Sequence, residues 1–171
     1  LLPTIRSRCR LLACAPLADD ALRKAVAQAL NAADDTGAGA SLPAGEDWAA
    51  LAALAEGSVR RFLMLQTAKG LDLNRKISAC FAALPRLDWV GVHALGDELG
   101  SAAAEAKYEL FFELLLGRLA RLVRTAATAG GREEDRTLAA RLVPQERLAA
   151  WAQLWETTVA EKADAEIYNL D

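Results

Sequence analysis

The chain has 171 residues, of which 53% are hydrophobic, 25% charged and only 6% aromatic, with a formal net charge of −3. Alanine and leucine make up roughly two-fifths of it. These residues cost least to place in a helix, and β-branched residues are few, which argues against an all-β or doubly wound α/β fold. The richest apolar stretch, Tyr108 to Val123, is broken by Glu109, Glu113, Arg118 and Arg121 and falls short of the roughly 20 residues that span a bilayer. The mildly acidic balance argues against a free-standing binder of nucleic-acid backbone. Three cysteines (Cys9, Cys14, Cys80) lack disulfide-framework spacing and point to a reducing, cytoplasmic setting. One histidine, His93, leaves little material for a metal site, and none is expected.

In chain order, residues 1 to 16 are irregular, with Arg6, Arg8 and Arg10 at alternate positions between Pro3 and Pro16. The opening Leu1-Leu2-Pro3-Thr4 has no initiator methionine, and we read the chain as a segment of a longer protein. From Leu17, the positions Leu17, Ala21, Leu22, Ala25, Val26, Ala29 and Leu30 trace one stripe of an amphipathic helix. Asp19 and Asp20 stand in its first turn, where carboxylates complement the helix dipole. Residues 31 to 45 read as a loop. A short helix is predicted over Glu46 to Ala55, with Trp48, Leu51 and Leu54 inward. Gly57 stops it, and Ser58 caps a third helix carrying Phe62, Leu63 and Leu65.

A composition shift near Gly70 predicts a domain boundary, giving units 1–69 and 70–171. Beyond it, helices are expected over residues 71–83, 88–98, 102–128 and 133–142. A last helix begins at Pro144, where a first-turn proline costs nothing, and it carries Leu148, Trp151, Trp155, Val159 and Ile167 as an apolar stripe at three-to-four spacing. The expectation is all-α: a small three-helix unit followed by a helical bundle. All four tryptophans, Trp48, Trp89, Trp151 and Trp155, read as core or packing residues.

Chemistry-bearing constellations are sparse. No glycine-rich phosphate loop is present. Cys9 and Cys14 lack the further ligands a zinc site needs and read as small apolar side chains at a core edge. His93 reads as a helix-surface or core-edge residue, and the run Arg132-Glu133-Glu134-Asp135-Arg136 as a solvated face. The opening Pro3-Thr4-Ile5-Arg6-Ser7-Arg8-Cys9-Arg10 is the exception, a concentration of positive charge on a segment that also holds hydroxyls and a thiol.

That run resembles the Ser-Arg-Cys motif of bacterial sliding-clamp loaders, where their AAA+ ATPase domain ends. Gly57-Ser58-Val59-Arg60-Arg61 is similar to the family's second sensor region in its helical lid. Asp88-Trp89 and the closing Ile167-Tyr168-Asn169-Leu170-Asp171 are similar to parts of its collar domain. The resemblance implies a lid followed by a collar, with a further helix beyond Asp171. It implies that Arg8, flanked by Ser7 and Cys9, acts in trans as an arginine finger on ATP held by a neighbouring subunit. A planar, permanently charged guanidinium there would meet the charge that develops on the γ-phosphoryl oxygens. Arg6 and Arg10 would serve interface or scaffold roles. Arg60, or Arg61 beside it, would stand where ATP-binding members contact nucleotide, so both an ATP-binding and a non-binding member stay open. No cofactor is expected in this chain. The implied partners are the other loader subunits through the collar, the sliding clamp and primed DNA. Phe112 and Trp155 would be incompletely covered. A helical adaptor with no replication role is one open reading.

Overall fold

The computed structural model describes residues 14–34, 41–101 and 104–168. Among them are eight α-helices and no strand, so the helical class expected from composition is the one observed. The helices are α1 (Asp19–Asp34), α2 (Gly45–Ala55), α3 (Val59–Thr67), α4 (Gly70–Ala83), α5 (Trp89–Leu99), α6 (Glu105–Thr128), α7 (Glu133–Leu142) and α8 (Leu148–Tyr168). The chain divides into two compact units, Leu1–Leu63 and Met64–Asp171. The division falls within α3, upstream of the composition shift at Gly70.

The first unit is built on an aromatic and aliphatic core. Leu22, Val26 and Leu30 of α1, Trp48, Leu51 and Ala55 of α2, and Phe62 of α3 are all buried. The Trp48 and Phe62 rings lie 4.7 Å apart, tilted 39° to one another, within the separation at which aromatic pairs attract. The indole Nε1 of Trp48 donates to Asp19 Oδ1 at 3.0 Å, and the Arg23 guanidinium sits 4.1 Å from the ring centroid. Asp19 therefore holds a core side chain in place as well as complementing the helix dipole.

Two details differ from the periodicity reading. Leu17 is 39% exposed, because α1 starts two residues later and Leu17 instead donates its backbone N–H to Gly57 O at 3.1 Å. Leu54 is only half-buried, and Ala55 takes the inward position. The α2 C-terminus closes through Glu56 in the left-handed region (φ 50) and Gly57 (φ 78). A Cβ on Gly57 would lie 2.6 Å from Leu17 N and 2.8 Å from Leu17 O, so both the conformation and the close approach require glycine there. Ser58 Oγ then accepts from Arg61 N at 3.3 Å, the side-chain cap that satisfies a free first-turn donor of α3.

In the second unit, α6 is the central element and packs against α4, α5, α7 and α8. Its residues Leu110, Leu114, Leu119 and Leu122 are buried, as are Leu73, Ile77 and Phe81 of α4, Leu95 and Leu99 of α5, and Ala139 of α7. Arg141 Nη2 donates to Phe81 O at 3.0 Å, placing a cation on the last turn of α4 where the helix dipole is negative.

The final helix departs from expectation at both ends. Pro144 precedes a 3₁₀ turn, Gln145–Arg147, rather than opening the helix, and α8 begins at Leu148. Leu148, Trp151 and Trp155 are half-buried, with Trp155 Nε1 donating to Leu116 O at 3.2 Å, and Phe112 is half-buried too. Val159 is 36% and Ile167 73% exposed. At about 100° per residue, a step of eight from Trp151 to Val159 turns about 80° off the contact stripe, and Ile167 turns twice that. Lys162 lies on the stripe instead, donating to the Glu109 carboxylate at 3.2 Å.

Candidate functional site

Ser7, Arg8 and Cys9, together with Arg6 and Arg10, lie outside the described residues. The described candidate is the start of α3. Ser58 caps the helix, so successive first-turn residues project in different directions from one fixed terminus. Arg61 folds back on Glu56, with Nη1 donating to Oε2 at 3.4 Å, and only 18% of its side chain is exposed. Arg60 is exposed. The two arginines left open by sequence thus differ in kind: Arg61 braces the α2–α3 turn, and Arg60 faces solvent.

The remaining candidates separate. Asp88 accepts from Val90 N at 3.1 Å and caps α5. This leaves the following residues on an exposed first turn: Trp89 is 65% and Val90 80% exposed. Trp89 is therefore not a packing residue. Alternation of apolar residues along a helix does not reveal that its first turn projects past its neighbours. His93, one turn further along α5, is exposed. Cys14 is exposed and Cys80 half-buried, both as free thiols, so Cys14 does not sit at a core edge; Cys9 lies outside the described residues. Among the described residues, no group of His, Cys, Asp or Glu side chains could hold a metal ion. No described helix is long and apolar enough to cross a membrane.

One charged cluster was not legible in the sequence. Glu98 of α5 accepts from Lys76 of α4 at 2.5 Å and from Lys107 of α6. The Lys107 ammonium, then that of Lys76, stabilises the carboxylate form and holds the Glu98 pKa down to about 2. The partners are 22 and 9 residues away, beyond any helical repeat, so no local spacing announces them. The cluster ties three helices together and has the chemistry of a brace rather than of a catalyst. No protein-family model matches the chain, and no curated protein or solved structure matches it either.

Proposed function

We propose that the chain is the lid and collar region of a bacterial sliding-clamp loader subunit, closest in its opening wording to the delta-prime subunit of DNA polymerase III. The observation that carries this reading is the run Thr4-Ile5-Arg6-Ser7-Arg8-Cys9-Arg10. The order of a small helical unit and a larger helical one after it agrees with a lid and collar. In this role the chain has no catalytic centre of its own. It assembles through its second unit with gamma/tau and delta subunits, helps place the sliding clamp on primed DNA, and supplies Arg8 to ATP bound by a neighbour. Hydrolysis then depends on assembly, because a finger offered in trans reaches the phosphates only when the neighbour is in place.

A second reading, the lid and collar of an ATP-binding gamma/tau subunit, is favoured by one observation: Arg60 is exposed on α3 while Arg61 is braced by Glu56. Two measurements on the whole protein separate these readings. Size-exclusion chromatography with purified gamma/tau and delta subunits is expected to give a stable complex, and failure to co-elute would contradict both. Equilibrium dialysis against ATP is expected to show no binding by the protein alone. Binding that Arg60→Ala abolishes would favour the second reading.

A further inference from the structure

The end of the second unit, where α6 hands over to α7, holds an open cleft of about 390 Å³, within the range of about 300–1,000 Å³ usual for small-molecule sites. Its existence follows from the residues around it. Ala126, Ala129, Ala139 and Ala140 line it, and their methyl groups leave unfilled the space that leucines would occupy. The chain reverses tightly beside it through Ala129 (φ 54) and Gly131 (φ 105). A Cβ on Gly131 would come within 2.9 Å of Thr125 Oγ1, so the turn lies directly over Thr125. The far wall is tied down by Gln145, whose Nε2 donates to Ala126 O at 2.8 Å.

Two polar features set the character of this cleft. Thr125, at 7% exposure, is the buried polar residue of the described core, and it lines the cleft. Arg136 also lines it, with its guanidinium on Glu133. Arg132, the residue before α7, is exposed, as are Arg124 beside Thr125 and Arg147 just past Gln145. Residues 118–147 carry seven arginines against four carboxylates, in a chain whose net charge is −3. Arg141 is engaged by Phe81 O and Arg118 lies over the Phe81 ring, so Arg136 is the charged side chain among the residues that line the cleft.

We propose that the cleft binds a small anionic amphiphile, with an alkyl or aryl body against the alanine walls and a carboxylate-like or sulfonate-like head on Arg136. Guanidinium presents a planar fork that meets two oxygens of such a head. The alanine walls take the apolar body, and the arginine selects the charge. Glu133 competes with the ligand head for Arg136.

Titration of the whole protein with 8-anilinonaphthalene-1-sulfonate, followed by displacement with octanoate, tests this site. The expected result is saturable binding at one site, with octan-1-ol displacing the probe at least about fivefold less well than octanoate. Ala140→Leu, at an exposed wall position, and Arg136→Ala should each weaken binding about fivefold or more, the first by filling the cleft and the second by removing the fork. Glu133→Gln should strengthen it about two- to threefold by releasing Arg136. Non-saturable binding, or binding unchanged by Ala140→Leu, would overturn the proposal. So would binding lost in Trp89→Ala, which would place the probe on α5. Association with phosphatidylglycerol vesicles without displacement by monomeric octanoate would overturn the free small-molecule assignment.

Discussion

The smallest determinants of this fold are single polar contacts made by buried groups. Trp48 is 3% exposed, and its indole N–H has Asp19 as acceptor. Asp19→Ala leaves that donor buried without its partner and should cost about 1–2 kcal/mol, read as a lower urea midpoint at unchanged slope. Gly57→Ala should cost about 1–3 kcal/mol or more, since it adds left-handed strain to contacts of 2.6–2.8 Å with Leu17 and Pro16. Trp89→Ala makes the opposite case. The ring is 65% exposed, so its removal should change stability by no more than about 0.5 kcal/mol despite the size of the side chain. Asp19 is legible in the sequence as a first-turn carboxylate, and Gly57 as a helix stop. Their partners are not, because Trp48 and Leu17 reach them only through the tertiary fold.

At the scale of elements, helix ends are legible where a chemical cap marks them. Ser58 carries the side-chain bond expected of it, and Asp88, read as the first residue of its helix, caps it from one position outside. The start of α8 is not, since Pro144 fits both a helix first turn and the residue before a 3₁₀ turn. The inward face of α8 is misread for a different reason: alanine is abundant all round it, so three-to-four spacing can be traced along more than one line. Contacts between elements lie beyond periodicity altogether, and Glu98 with Lys76 and Lys107 is the clearest example. A carboxylate whose pKa in the fold lies below its unfolded value stabilises the fold above the unfolded pKa. That stabilisation is lost as pH falls from about 4.5 toward about 2. The Glu98 side chain is 38% exposed, so solvent screens the pairs, and Glu98→Gln should cost no more than about 1 kcal/mol at pH 7. Thermal unfolding of both proteins from pH 7 to pH 2 should show the two stabilities converging below pH 4.5. A gap that stays constant over that range would mean that the charge of Glu98 contributes nothing.

For the whole molecule, composition and charge carry the fold class, while the proposed function rests on a few residues near the start. An alanine- and leucine-rich chain of 171 residues has little choice but to pack helix on helix, and that architecture is compatible with many roles. The candidate functional residues are legible only as a motif, through the wording around Arg8, because a solvated basic segment has the same composition. Arg60 and Arg61 show how far geometry adds to the motif, since sequence could not separate them and burial does. The most direct measurement is steady-state ATP turnover by a clamp loader reconstituted with the whole protein, comparing wild type with Arg8→Ala. A finger acting in trans predicts intact assembly with turnover lower by about 10³ or more. Assembly and turnover both indistinguishable from wild type would contradict the role assigned to Arg8.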